Sequence, residues 1–97
     1  MKSIIQKDKC CYICGTVIGL HNHHIFFGTA NRKLSEKDGL KVYLCWEHHE
    51  GTFGVHGREG NNLNLKLKKL AERKWIEYYK KTEKDFIDRY GESILWK

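Results

Sequence analysis

The chain of 97 residues has no proline and a single methionine, and it contains neither a low-complexity segment nor an internal repeat. Without proline, the ends of helices and strands have to be read from glycine and from clusters of polar residues. Long apolar runs are also missing: no stretch could span a bilayer, and the amino-terminal segment from Met1 to Lys9 lacks the apolar centre of a signal peptide. These absences lead us to expect a cytoplasmic protein with no membrane partner. Acidic residues are outnumbered, 12 against 18 lysines and arginines, for a net charge of +6 and a pI near 9.2. An anionic partner is the electrostatic default, and nucleic acid is the commonest such partner, although a lysine-rich surface can also serve solubility alone. Cysteine is sparse too, with four in all, two of them adjacent at Cys10 and Cys11, which is a poor framework for two disulfides.

What is present is a concentration of metal-ligating side chains between Cys11 and His56. Cys11-Tyr12-Ile13-Cys14 and Cys45-Trp46-Glu47-His48 each enclose two residues between ligands, the spacing with which two knuckles grip one tetrahedral zinc. Cys10 and Cys14 enclose three residues instead of two, and Cys10 is set aside as a bystander. Of the five other histidines, four form a set: His23, His24, His49 and His56. They suggest a second, chemically active centre. His21 lies on the alternating face shared with His23 and is expected at the surface or against substrate. A chain of this length is at most one domain with a modest core, and a structural zinc, which contributes about 10 to 16 kcal/mol of apparent binding free energy in small peptides, is its expected staple.

The expected elements are a zinc knuckle over residues 9–15, a strand over 20–27, a loop through Asn31 and Gly39, a strand over 41–45, and a short helix over 46–50 ended by Gly51, Gly54 and Gly57. Residues 61–97 read as helical. Asn61 or Asn62 is the expected cap, and Leu63, Leu67, Leu70, Ala71, Trp75 and Tyr78 form an apolar stripe that leaves Lys66, Lys69, Arg73 and Lys80 on other faces. Thr82 followed by Asp85 caps a second helix carrying Phe86, Ile87 and Tyr90 and ending near Gly91. Ile94, Leu95 and Trp96 form a tail that either folds back or pairs with another subunit. Trp46, Trp75 and Trp96 are expected in the core. The whole is one domain, 1–97, made of a metal-bearing core (9–60) and a helical extension (61–97).

Cys11-x-x-Cys14, His23-His24-Ile25, an intervening Asn31 and Leu44-Cys45-x-x-His48-His49 together resemble the HNH family of endonucleases, the ββα-metal or His-Me finger nucleases, and in particular small phage-encoded members. The resemblance covers roughly residues 10 to 60. It implies an α+β fold, a zinc-stapled ββα-metal core with a helical carboxy-terminal extension, and hydrolysis of DNA phosphodiester bonds in the cytoplasm of a host cell. By that likeness Cys11, Cys14, Cys45 and His48 hold a structural Zn2+, while His23 and His49 hold a catalytic divalent ion (Mg2+, Mn2+, Ni2+ or Zn2+). His56 reaches either that ion or the scissile phosphate. His24 is the implied general base, and Asn31 the residue that orients it. The asparagine of the family usually falls nearer the Leu-Cys pair, so Asp38 is an alternative in that role. DNA is the implied partner, with a recombination or packaging protein as a second candidate. The rival expectation is a zinc-knuckle module that binds DNA or protein without catalysis.

Overall fold

A computed structural model describes all 97 residues: β1 (Leu20–His24), α1 (Thr29–Asp38), β2 (Lys41–Cys45), α2 (Trp46–His49), α3 (Asn61–Tyr79) and α4 (Glu83–Tyr90). The class is α+β, as expected. β1 and β2 pair antiparallel with Leu20 opposite Cys45 and His24 opposite Lys41. No helix is long and apolar enough to cross a membrane.

The segment expected to be a loop through Asn31 is instead the ten-residue helix α1. Its apolar content is too low for a periodic signal, and what holds it is polar. The buried Ser35 hydroxyl accepts from the Phe26 amide at 3.2 Å and donates to the Phe26 carbonyl at 2.9 Å, stitching α1 to the chain just beyond β1. β1 itself stops at His24, three residues short of the expected 27, although the Ile25 amide still donates to the Leu40 carbonyl.

Beyond α2 the chain winds through Gly51, Gly54, Gly57 and Gly60, each amide after the first donating to the glycine carbonyl three residues earlier. A side chain at Gly57 or Gly60 would collide with the backbone of Gly51 or Gly54, so the close stacking of this loop excludes any residue with a Cβ at those two positions. The loop therefore turns back on α2, and the Val55 and His56 amides donate to the carbonyls of His48 and His49.

The two carboxy-terminal helices follow expectation in outline. Thr82 and Asp85 form the reciprocal capping box of α4, which ends at Gly91. α3 is capped by Gly60 without any side chain, so neither Asn61 nor Asn62 caps it. Its stripe packs Leu67, Ala71 and Trp75 into the core together with Ile25, Phe26, Leu40, Leu44 and Phe86. Tyr78 is 57% exposed; the neighbouring Tyr79 turns inward in its place and donates to the Asp38 carbonyl. Trp46 and Trp96 are also not core residues, at 61% and 81% exposure, and Trp96 lies on the surface with its indole donating to Glu83. The tail folds back through Ile94, whose amide donates to the fully buried Glu72 carboxylate.

Asp38 is the clasp between core and extension. Its carboxylate accepts two bonds from Arg89 at 2.6 and 2.8 Å, one from the Trp75 indole at 2.9 Å and one from the Tyr90 hydroxyl at 2.7 Å. That occupation removes Asp38 from any role beside His24. Asp38→Ala strands a guanidinium, a phenol and an indole, and should cost about 3 kcal/mol, the lower end for a broken buried pair because Arg89 is partly solvated. Urea unfolding of the zinc-loaded protein measures this; a loss well under 1 kcal/mol contradicts it.

Candidate metal centres

The first cluster is assembled by a turn and a strand end. The Gly15 amide donates to the Cys11 carbonyl and the Cys11 amide to the Thr16 carbonyl, curling Cys11 and Cys14 to one side. The Tyr12 amide, donating to the Tyr43 carbonyl at 2.8 Å, ties that turn to β2. Cys45 ends β2 and is the N-cap of α2, which puts His48 one turn on, facing back. Cys11, Cys14, Cys45 and His48 bring one ligand atom each to within 4.8 Å of one another.

The edges fit a tetrahedral ion. Cys14 Sγ and Cys45 Sγ are 3.8 Å apart, and His48 Nδ1 lies 3.7 Å from Cys11 Sγ and 3.2 Å from Cys45 Sγ. Bond lengths of zinc to sulfur and nitrogen predict edges of about 3.8 and 3.6 Å. No disulfide competes, since all four cysteines are free. Burial alone would raise the Cys11 thiol, but the backbone amides of Cys14, Cys45 and Ile13 pull it down to about 6, so the thiolate that a metal requires is already favoured. This Cys3His set can hold an ion such as zinc. Cys10 lies outside it, its carbonyl accepting from Gln6.

The second cluster is made of imidazoles. His23 in β1, His49 at the end of α2 and His56 in the glycine loop also bring ligand atoms to within 4.8 Å of one another. Their ring centroids are 5.2 Å (His23 to His49), 5.3 Å (His23 to His56) and 4.7 Å (His49 to His56) apart. His23 is 2% exposed and its Nε2 is buried with no hydrogen-bond partner. A buried nitrogen left without a partner is costly unless something absent from the protein chain satisfies it. Burial, followed by the neighbouring charges of His49 and His56, holds His23 down to about 3, so the ring is neutral and its lone pair free near neutral pH. His56 is exposed, which leaves the cluster open on that side.

His21 belongs to this face, a placement that the sequence reading left open. Its Nδ1 is 2.8 Å from His49 Nδ1, so one of the two nitrogens carries the proton. Glu50 Oε1 lies 3.4 Å from the same His49 nitrogen, and a carboxylate only accepts, which favours the proton on His49. His49 Nε2 is then the unprotonated nitrogen and points its lone pair elsewhere, the arrangement by which an outer partner readies a histidine ligand.

His24 does not join them. Successive strand residues face opposite sides, and while His21 and His23 share the imidazole face, the His24 ring lies against α1 with Nε2 2.8 Å from Glu36 Oε1. Glu36 also accepts from Lys41 at 2.7 Å and from the amino terminus at 3.2 Å; Lys41 first, then His24, draws its carboxyl down to about 2. The cleft beside His24 is lined by Arg32, Lys33 and Lys37 as well as Glu36, and by none of the other histidines. Asn31 is not beside His24 either; it lines a separate small cleft with Phe27, Lys68 and Glu92.

No family model, curated protein or solved structure matches this chain. The site therefore has to be interpreted from its own chemistry. Sequence reasoning missed Glu36 as the partner of His24 and His21 as the partner of His49. The second was within reach, because the alternation His21-x-His23 on a strand places both rings on one side.

Proposed function

We propose that the protein is a metal-dependent endonuclease that hydrolyses DNA phosphodiester bonds, with a structural zinc on Cys11, Cys14, Cys45 and His48 and a catalytic divalent ion on His23, His49 and His56. The observation that carries this reading is the buried, unpartnered Nε2 of His23 facing two further imidazoles on the solvent-open side of the sheet. Three imidazole nitrogens with an open side are a donor set for an ion that keeps free coordination positions. A divalent ion held there would supply Lewis-acid neutralisation of the charge that builds on phosphorus and would acidify an attacking water, whose proton passes to bulk water while the leaving oxygen takes one up from solvent. The residues of the chain hold, orient and select. His23 and His56 approach from the strand and the glycine loop, His49 from α2, and His21 with Glu50 fixes the tautomer of His49. The net charge of +6 draws the DNA backbone.

The resemblance assigns the general base to His24, and here our proposal differs. His24 would have to leave Glu36 and turn through the sheet to meet a water on the imidazole face. We assign His24 instead to the pairing that docks α1 on β1.

The activity test is nicking of supercoiled plasmid by the zinc-loaded protein. Conversion to open circle is expected on addition of magnesium, manganese or nickel and none in EDTA. A second reading, a zinc-knuckle module that binds DNA or protein without cutting, is favoured by the separation of His24 from the other histidines and by the exposed Val17, Ile18 and Phe53. It predicts a salt-sensitive shift of DNA, or capture of a protein, with every divalent ion leaving the plasmid intact.

A further inference from the structure

We infer that Lys68 and Asn31 form a subsite for a DNA backbone phosphate beside the imidazole cluster, a deepening that rests on the endonuclease reading. Lys68 leaves α3 with its ammonium 4.6 Å above the centre of the Phe27 ring. Phe27 also stands beside His56, at 5.1 Å between centroids, and His23, at 6.1 Å. Phe27 thus adjoins both the candidate metal-binding histidines and a cation. Lys68 forms no ion pair with any carboxylate. The acid in its cleft, Glu92, has its own partner in Lys97 at 3.0 Å. Asn31 opens into the same cleft from α1 and brings neutral amide donors.

Glu92 attracts this half-buried ammonium from a distance without forming an ion pair with it, so an anion arriving from solvent can complete its coordination. Burial pushes the Lys68 pKa down, the direction that an anionic partner would reverse. The ligand is a phosphodiester oxygen, because the adjoining cluster takes an ion whose chemistry acts on the neighbouring phosphate. The Lys68 ammonium stands over the face of Phe27, so its head is held where a solvated surface lysine would wander. Asn31 thereby acquires a function other than the base-orienting one implied for it.

The test reads binding and not cutting. Fluorescence anisotropy of a short labelled duplex with zinc-loaded protein, without added magnesium or manganese, is recorded over a series of KCl concentrations. Lys68→Met keeps the stem and removes the charge; it should weaken binding about tenfold and make the slope of log K against log salt shallower by about one phosphate contact. Lys68→Arg should retain the slope. Asn31→Ala removes a neutral donor and should weaken binding roughly fivefold at unchanged slope. Lys66→Met, on an exposed face of α3, should change neither. The inference is overturned if Lys68→Met leaves the slope as in the unaltered protein, or if Lys66→Met lowers it as much. Failure to nick plasmid with any ion defeats the endonuclease reading alone, since the salt slope is read without cleavage.

Discussion

Removal of a metal held by Cys11, Cys14, Cys45 and His48 is expected to unfold the protein. The core that Cys11, Cys14, Cys45 and His48 close is small, and the two strands make a sheet of only five residues each. A two-stranded ribbon is marginal by itself in water. Zinc at such a site contributes about 10 to 16 kcal/mol in small peptides, against a net stability of about 5 to 15 kcal/mol for an ordinary domain. Chelation should therefore abolish the cooperative thermal transition and the near-ultraviolet signal of the buried Trp75, and zinc should restore both. Cys45→Ser is expected to behave as the chelated protein does, because Cys45 is at once a strand end, a helix N-cap and a ligand. His48→Cys, which keeps four ligands, should retain the transition. Retention of the transition in excess chelator would show that the apolar core suffices without metal.

The second large effect separates the imidazoles. His49→Ala should lower metal-dependent nicking by more than 100-fold with the thermal transition unchanged, since even the loss of an outer partner of a metal ligand costs about 10- to 100-fold. His21→Phe should fall inside that smaller range, and added metal should rescue it in part, as expected when a ligand is misoriented and not missing. His24→Gln should retain most of the activity, its loss traceable to weaker docking of α1. The comparison has a sharp alternative. Should His24→Gln abolish nicking as completely as His49→Ala, in a protein of unchanged stability and zinc content, the base assignment implied by the resemblance is right and the assignment of His24 to docking α1 alone is wrong.

The parts of the fold that were legible beforehand were those where a local pattern has one physical solution. Lys41–Cys45 is a β-rich run ended by a ligand, and its strand fell where expected. Thr82 and Asp85 make a capping box that is a matter of four consecutive residues. The knuckle spacing likewise brings Cys11, Cys14, Cys45 and His48 together. What escaped was decided by distant contacts. α1 has little amphipathic signal and exists because Ser35 stitches it to Phe26 and Asp38 anchors its end to Arg89, Trp75 and Tyr90. Glu72 is wholly buried under the returning tail, where Ser93 and the Ile94 amide donate to it, a placement that no local pattern marks. Trp46 and Trp96 carry no local mark that would have told a surface indole from a core one. In the site, adjacency misled: His23 and His24 are neighbours in sequence, but on a strand neighbours part company, and His21 is the residue that shares the face of His23.

The proposed activity requires two ions bound by different chemistry in one small domain. Crystals of the zinc-loaded protein grown with manganese, with diffraction measured across the absorption edges of both metals, test it most directly. The result expected is a zinc peak among Cys11, Cys14, Cys45 and His48 and a manganese peak against His23 Nε2, bounded by His49 and His56. Saturating manganese that leaves the three imidazoles bare, or that settles at His24 and Glu36, would contradict it.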